Sequence, residues 1–517
     1  MSISLLTKQY SRHAFWLSLV SLAIVFMWLL RCSTLAGPGL INDSIAYIGG
    51  ARSILSGTGY SQIWLASSLQ PITHYPPLFS LTLVFLGIFG MDPFLGARAI
   101  NILLFGLNIV LMGILGSFTF RVQWAGVLLA LLFAMNTAMF RVHSYAISEP
   151  LFLFLCLICF LLLNSYLERR NLILVVCMGL VTGLAILDRY VGVALFGTLA
   201  IVIMLLENSW SARLTGLGAY VLAVIPLPLV WLVYNARRGE AMTNRGLGWH
   251  PVTGENLLLG VQNLSQWILP VGEVPFLNTL SIALLILLGI LLLWGMFTQV
   301  PHLLVKGYSA LKVHALLLTA AIFLFVYLLL VLFSITVFDP ATKLQDRILV
   351  PVYLCMLFLF IALGHHLWQS KKTSSRLNVI IISTLMIGSW VQNLYQTIGL
   401  MQQDGQGYAS RRIQESPVIR FIENMPDDIS IYTDSPTAIY SATQRPSFAV
   451  PMELENGSSQ PYYAEINQQV REGSAILVLF ETVRYTDPVS EANYHYLTAG
   501  TELVVKFGSQ RAFLGGD

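Results

Sequence analysis

The feature that most limits the fold of this chain is a series of apolar runs, each long enough to cross a membrane as a helix. A hydrocarbon core of about 30 Å needs roughly 20 helical residues. Eleven such runs lie near 14–30, 94–118, 123–140, 150–167, 172–187, 191–206, 214–234, 276–298, 313–336, 348–367 and 378–400. Only 11% of the residues are charged and 56% are hydrophobic, whereas a soluble domain is about one-quarter charged. The sequence therefore predicts a polytopic α-helical membrane protein with about eleven transmembrane helices.

The orientation of these runs depends on a shorter apolar segment at 77–90. Its length of about 14 residues suits an interfacial or re-entrant helix better than a span. Without it, eleven crossings place the loops 31–77 and 235–275 and the tail outside, if the N-terminus is inside. Basic residues are then about twice as dense in the inner loops as in the outer ones, as the positive-inside rule predicts. We expect a multi-pass protein of the plasma (inner) membrane with an extracytoplasmic tail.

The character of the chain changes near residue 401, where long apolar runs give way to a polar mixture. Ser416 and Pro417 form a helix start, and "YYAEINQQVREG" is a helix that ends at Gly473. The segments "ISIYT", "AILVLF" and "ELVVKF" are short and β-rich. We therefore predict two domains: a transmembrane catalytic domain at 1–400 and a small extracytoplasmic α/β domain at 401–517.

Ionisable residues of the membrane part collect at the predicted outer face, where their cost usually marks function. They are Asp43, Arg52, His74, Glu149, Asp188, Arg189, Arg237, Arg238, Asp346 and Arg347. A transporter commonly shows inverted repeats with paired broken helices, and the sequence has no such internal symmetry. The asymmetry favours chemistry at the outer surface.

Several of these side chains also have a purely structural interpretation. Asp is a favoured N-cap, so Asp43 can simply begin an interfacial helix. Glu149 lies in a Ser-Glu-Pro sequence that is typical of a helix start. Arg347 can be an interfacial ion pair with the preceding aspartate or a snorkelling anchor. His74 and Tyr75 can be interfacial anchors.

Taken together, the segments resemble a known family. The order "NDSIAYIGGARSILSGTGY", "HYPPLFSLTLVFLG", "DPFLGARAINILL", "ISEPLF", "LAILDRYVG" and "DRILVPVYLCMLFLFIALG" resembles the GT-C glycosyltransferases of the dolichyl-phosphate-mannose protein mannosyltransferase and aminoarabinose transferase type. The resemblance covers roughly residues 10–400. It implies a polytopic enzyme that uses a polyprenyl-phosphate sugar and transfers it outside the cytoplasm. It also implies a catalytic acid on the first outer loop, which matches Asp43.

The chemistry of sugar transfer suggests a role for each of the other site residues. An acceptor hydroxyl needs a general base, for which Asp43 is suited, and attack by that hydroxyl inverts the anomeric centre. The departing phosphate needs cations, and guanidinium groups bind phosphate bidentately. Glu149 is expected to orient the acceptor or to hydrogen-bond a sugar hydroxyl. The predicted donor-phosphate and substrate-binding residues are Arg347, Arg52, Arg189, Arg237, Arg238, His74 and Tyr75.

The expected substrate set follows from the same residues. Asn42 stands before Asp43 where related protein mannosyltransferases have adjacent acids, which favours a glycolipid or envelope polysaccharide over a protein acceptor. With no Asp-x-Asp motif, we expect no obligatory metal or other cofactor; the polyprenyl-phosphate sugar, carrying a hexose or a pentose, is the donor substrate. Membrane lipids are further partners, and nucleic acid is not. The alternatives are a transporter or lipid flippase without transfer activity, and a non-catalytic envelope assembly protein.

Overall fold

The computed structural model describes residues 3–67, 69–207, 209–238, 246–270, 278–290, 293, 314–369, 373–450, 460–480 and 488–515. The chain folds into two compact units. The first comprises Met1–Ser33, Pro76–Phe79 and Ala99–Leu400, and the second comprises Thr34–Tyr75, Ser80–Arg98 and Met401–Asp517. Most of the first predicted outer loop therefore folds with the C-terminal residues, an arrangement that the sequence pattern does not reveal.

Helices account for nearly all of the described chain up to residue 404. They are Ile3–Ser33, Asn42–Leu55, Leu78–Ile88, Pro93–Phe120, Gln123–Met135, Thr137–Ser144, Glu149–Arg169, Leu172–Asp188, Val193–Leu206, Trp210–Val224, Pro226–Arg238, Gly254–Ile268, Asn278–Ile290, Ala315–Val337, Asp346–Gln369 and Thr373–Asp404, with a 3-10 turn at Tyr190–Gly192. This architecture confirms the predicted polytopic α-helical fold.

The number of membrane spans is smaller by length and composition than the eleven predicted runs. Among the described residues, six helices are long and apolar enough to cross a membrane: Arg12–Ser33, Pro93–Phe120, Glu149–Arg169, Trp210–Arg238, Ala315–Val337 and Asp346–Trp368. A bent pair of helices makes up to seven if it is one span. Shorter apolar helices occur at Leu78–Ile88, Leu172–Asp188, Tyr190–Leu206 and Asn278–Ile290. The count of eleven stays a prediction, because much of the run 276–298 and part of the loop 235–275 lie outside the described residues.

The predicted run 123–140 is broken in its middle rather than continuous. Helices Gln123–Met135 and Thr137–Ser144 meet at an angle of 62°. Asn136 between them has an extended backbone (ψ 126°), and its side chain accepts a hydrogen bond from the Met139 N–H over 3.2 Å. Asn is a strong N-cap, so this single polar residue ends one helix and starts the next.

Close helix packing in the first unit depends on small residues, as expected where apolar burial alone does not drive association in lipid. On Leu172–Asp188, a Cβ added to Gly179 would lie 2.7 Å from the Tyr220 carbonyl oxygen and 2.6 Å from the Ala223 Cβ. The backbone of helix Trp210–Val224 therefore approaches this helix more closely than any side chain at position 179 would allow.

The C-terminal residues form a five-stranded sheet, which confirms the predicted small α/β fold of the tail. The strands are β1 Ser430–Thr433, β2 Phe448–Ala449, β3 Ala475–Leu479, β4 Thr501–Phe507 and β5 Gln510–Gly515. Their order is β2-β1-β3-β5-β4, with β1 parallel to β2 and β3, and β5 antiparallel to β3 and β4. The helices are Arg411–Gln414, Pro417–Glu423, Pro436–Thr443, Gln460–Arg471 and Pro488–Thr498.

Strand β3 is the centre of this sheet and is buried on both faces. Alternate side chains of a strand point to opposite faces. Leu477 and Leu479 pack in a cluster with Tyr463 of helix Gln460–Arg471, whereas Ile476 and Val478 pack with residues of helix Pro417–Glu423. The predicted Ser416 cap is present, with its hydroxyl accepting from the Ile419 N–H over 3.1 Å.

Candidate active site

The proposed catalytic acid, Asp43, lies in the first turn of helix Asn42–Leu55 and is half-buried. The structural interpretation of Asp43 as an N-cap is wrong. Ile41 occupies the N-cap position, and its N–H donates to the Ser44 hydroxyl over 3.1 Å. The serine hydroxyl therefore satisfies the end of the helix, and the Asp43 carboxylate is left for other contacts near the positive end of the helix dipole.

The aromatic residue of the "HYPP" segment lies directly beside this acid. The Tyr75 hydroxyl donates to Oδ1 of Asp43 over 3.2 Å. The Tyr75 ring packs edge-on against Tyr47, one turn further along the same helix, with ring centres 5.6 Å apart. His74 packs against Tyr75 at 5.1 Å. The structure thus brings together three of the predicted site residues: Asp43, His74 and Tyr75.

Arg52 lies on the same helix but is engaged elsewhere. It follows Asp43 by about two and a half turns, so it lies on the opposite face of the helix. Its guanidinium holds Asp92 bidentately, with Nη2 3.0 Å from Oδ1 and Nε 3.2 Å from Oδ2. Burial lowers the pKa of Arg52, but hydrogen bonds to Asp92 and Tyr440 outweigh it and raise that pKa. A paired cation has less free charge for a phosphate.

A small cavity lies on this Arg52 face of the helix. Its volume is about 250 Å³. The lining includes Arg52, Ile45 and Ile48 from the helix and Tyr440 and Gln444 from the C-terminal residues. Because Asp43 points to the other face of the helix, this cavity is not the space into which Asp43 projects.

A second group of site residues is buried in the first unit. Glu149 begins helix Glu149–Arg169, and its Oε1 lies 2.7 Å from Nη1 of Arg189. The same Nη1 donates to the Ser148 hydroxyl over 3.3 Å. Glu149 is 2% exposed and the neighbouring Asp188 is fully buried. Neither carboxylate oxygen of Asp188 has a hydrogen-bond partner among the described residues.

The sequence places Asp188 among the ionisable residues of the predicted outer face but gives it no role in the site. It is the last residue of helix Leu172–Asp188, where the helix dipole disfavours a negative charge. Its charged neighbours are Arg189 and Glu149. The only sequence signal is its position next to Arg189. The cluster therefore holds two buried carboxyl groups around one guanidinium.

Arg347 is half-buried in the first turn of helix Asp346–Gln369. Both carboxylate oxygens of the adjacent Asp346 have other contacts: Oδ1 accepts from the Trp267 indole N–H over 3.1 Å, and Oδ2 lies 3.9 Å from Nη1 of Arg141. Consecutive helical residues point about 100° apart. The geometry therefore gives Asp346 a role in packing this end of the helix that is separate from Arg347.

Arg237 and Arg238 end helix Pro226–Arg238 and are exposed. The Arg238 guanidinium lies 4.9 Å from the centre of the Tyr234 ring, a cation–π contact. Two cations at a helix C-terminus are also favoured by the helix dipole. Their neighbours at 239–245 lie outside the described residues.

The described residues include no group of three or more His, Cys, Asp or Glu side chains placed to hold a metal ion. The expectation that no metal is obligatory stays a prediction.

Comparison with known proteins identifies the fold. No protein-family model and no curated protein matches the sequence. The structure is similar to that of ArnT from Cupriavidus metallidurans in the apo state, with a TM-score of 0.55 and 13% identity over 98% of this chain and 100% of that chain. ArnT from the same organism bound to undecaprenyl phosphate has a TM-score of 0.54 and 14% sequence identity, over 96% of this chain and 99% of that chain. The apo oligosaccharyltransferase of Archaeoglobus fulgidus has a TM-score of 0.52 and 13% sequence identity, over 90% of this chain and 70% of that chain. The chain has the GT-C fold of membrane glycosyltransferases, as the sequence predicted.

Proposed function

We propose that this protein is a glycosyltransferase that moves a hexose or pentose from a polyprenyl-phosphate donor to a hydroxyl of an envelope glycolipid, polysaccharide or protein. The observation that carries the proposal is the placement of Asp43 on the GT-C fold. This acid lies in the first turn of a helix in the predicted first outer loop. Its Oδ1 accepts a hydrogen bond from the Tyr75 hydroxyl, and the Ser44 hydroxyl, not Asp43, accepts from the Ile41 N–H at the helix start. A half-buried carboxylate held in this way suits a general base.

The proposed reaction is a single displacement. Asp43 accepts the proton of the acceptor hydroxyl as that oxygen attacks the anomeric carbon. The bond from the anomeric carbon to the phosphate oxygen breaks at the same time, and the lipid phosphate leaves with the bonding electrons. The attack comes from the side opposite the phosphate, so the anomeric configuration is inverted. The Tyr75 hydrogen bond restricts the rotation of the carboxylate, which reduces the cost of aligning it.

The donor phosphate requires cations in this scheme. Arg347 is the leading candidate because it is a half-buried guanidinium in the first turn of helix Asp346–Gln369. Arg237 and Arg238 are further candidates. The ArnT structure with bound undecaprenyl phosphate supports a lipid phosphate as ligand, since that protein has a similar fold.

Arg347→Ala is expected to weaken binding of the lipid donor by about tenfold or more, because each lost hydrogen bond to a charged group is worth about 1.5–3 kcal/mol. The melting temperature should change little. Donor titration of the purified protein in nanodiscs measures this effect. Lys343→Ala is the matched control, since Lys343 is an exposed cation just before the same helix. Equal donor affinity in both variants would assign the phosphate to another cation.

The activity itself is tested in cells and with purified protein. Mass spectrometry of envelope glycans and lipids from a strain that lacks this chain should show a missing sugar, which the wild-type gene restores. The purified protein should transfer that sugar from its polyprenyl phosphate. Movement of a lipid across vesicles without any transfer would instead support a transporter.

We further propose that the protein lies in the plasma (inner) membrane with the C-terminal residues 401–517 outside the cytoplasm. The density of basic residues in the inner loops supports this orientation. A C-terminal alkaline phosphatase fusion should be active, and a β-galactosidase fusion at the same site should be inactive. The reverse pattern would place Asp43 and the proposed chemistry on the wrong side.

A further inference from the structure

We infer that the C-terminal residues position the catalytic acid, and that Tyr408 and Thr437 do so through Asn42. The inference rests on the proposed function, because it assigns these residues to the alignment of Asp43. Asn42 is the residue directly before Asp43 and the first residue of their helix. The two hydroxyl groups belong to the second unit, as Asn42 and Asp43 do.

The first part of this tether is made by backbone atoms. The Leu40 N–H donates to the Gln406 carbonyl over 3.3 Å, and the Tyr408 N–H donates to the Leu40 carbonyl over 2.8 Å. Leu40 and Gly407 are thereby paired as a parallel bridge. Leu40 is 3% exposed. The chain that enters the Asp43 helix is therefore fixed to the segment that follows helix Thr373–Asp404.

Gly407 is required for this approach. Its φ is +57°, a left-handed conformation, and a Cβ at this position would lie 2.0 Å from the Leu40 carbonyl oxygen. Any side chain here would both strain the backbone and push the Leu40 segment away. The close contact thus depends on one small residue in the C-terminal part of the chain.

The second part of the tether acts on the side chain of Asn42. The Tyr408 hydroxyl and the Thr437 hydroxyl both donate to its Oδ1, each over 2.7 Å. Thr437 lies in helix Pro436–Thr443, which is packed on the sheet. A single amide oxygen therefore receives two short hydrogen bonds from two separate elements.

These contacts act on Asp43 through the geometry of the first helical turn. Asn42 and Asp43 share a peptide unit, so rotation at Asn42 moves the Asp43 Cα and redirects its carboxylate. The Tyr75 hydroxyl restrains Asp43 at the far end of its side chain, and Tyr408 and Thr437 restrain the backbone that carries it. A general base whose carboxylate and backbone are both restrained keeps the alignment that proton transfer requires.

The same contacts give Asn42 a function. The neutral amide oxygen of Asn42 accepts hydrogen bonds from two hydroxyl groups without placing a second negative charge beside the Asp43 carboxylate. Tyr408 and Thr437 are positioning residues, since they reach the reaction only through Asn42.

The test is the double variant Tyr408→Phe/Thr437→Val, which removes both hydroxyl groups and keeps the size of each side chain. We expect kcat to fall about tenfold with little change in KM for the polyprenyl-phosphate sugar. Hydrogen exchange of the backbone amides at 40–47 should become faster. Tyr462→Phe/Thr443→Val is the matched control: it removes two hydroxyl groups of the same domain. They donate to the carbonyl groups of Ala449 and Ile439, and the Thr443 hydroxyl also accepts from the Arg445 N–H. This control should leave both readouts unchanged.

A third variant checks that the effect passes through one acceptor. Asn42→Ala should lower kcat to a similar extent, and adding Tyr408→Phe/Thr437→Val to it should cause no further loss. The inference would be overturned if the losses in kcat were additive, or if only KM for the polyprenyl-phosphate sugar changed. Faster exchange in a protein whose wild type transfers no sugar would instead refute the proposed function and keep the tether. Unchanged exchange and unchanged kcat in the double variant would refute the tether and leave the transferase intact.

Discussion

Asp43→Asn is expected to lower the turnover of sugar transfer by about 10²- to 10⁴-fold, the range typical of lost general-base catalysis. An amide cannot accept the acceptor's proton, but it keeps Oδ1 as an acceptor for the Tyr75 hydroxyl. The structure separates the proposed catalytic role of Asp43 from a capping role more clearly than the sequence does. Since the Ser44 hydroxyl accepts from the Ile41 N–H, the variant disturbs no cap, and the lost helix-dipole interaction is worth about 0.3–1 kcal/mol.

The measurement is transfer from a polyprenyl-phosphate sugar in nanodiscs, with the melting temperature and donor affinity followed in parallel. Asp404→Asn is the control, because Asp404 is an exposed acid of the same unit whose Oδ1 accepts from the Arg412 N–H over 3.3 Å. It should retain full turnover. Near-normal turnover of Asp43→Asn would leave Asp43 with a purely structural role in the first turn.

The sequence predicted the parts of this site that are close together or chemically distinctive. Asp43 and the "HYPP" segment, both in the predicted first outer loop, are joined in the structure by the Tyr75 hydroxyl. It did not predict that Asn42 receives a hydrogen bond from Tyr408, 366 positions away. Hydropathy and residue spacing indicate local structure. A contact between residues so far apart in the sequence depends on the tertiary fold.

The membrane fold was predictable for a similar reason, and its irregularities were not. Apolar runs alone locate long helices such as Glu149–Arg169. The break at Asn136 was missed because one polar residue hardly changes the mean hydropathy of the run 123–140. The ion pair of Arg52 with Asp92 was also missed. An arginine that binds a carboxylate and one that binds a phosphate look alike in a sequence.

Arg189→Met is expected to lower the stability of the folded protein by about 3–5 kcal/mol, the usual cost of removing one partner from a buried ion pair. Arg189 is 16% exposed and its partner Glu149 is 2% exposed. Thermal unfolding in detergent should show a large fall in melting temperature. Arg238→Met, at an exposed cation over Tyr234, should cost only about 0.5–1 kcal/mol.

A variant in which both buried acids are replaced by amides distinguishes two roles for Arg189. In a protein that carries Glu149→Gln and Asp188→Asn, the cation has no buried carboxylate to compensate, so adding Arg189→Met should cause little further loss of melting temperature. The sequence assigned Arg189 to the donor phosphate instead. That role predicts a different result, in which Arg189→Met lowers donor affinity in both backgrounds and leaves the melting temperature of each unchanged. Since Nη1 of Arg189 lies 2.7 Å from the buried Glu149 carboxylate, we expect the stability effect and assign Arg189 to holding the two acids in place.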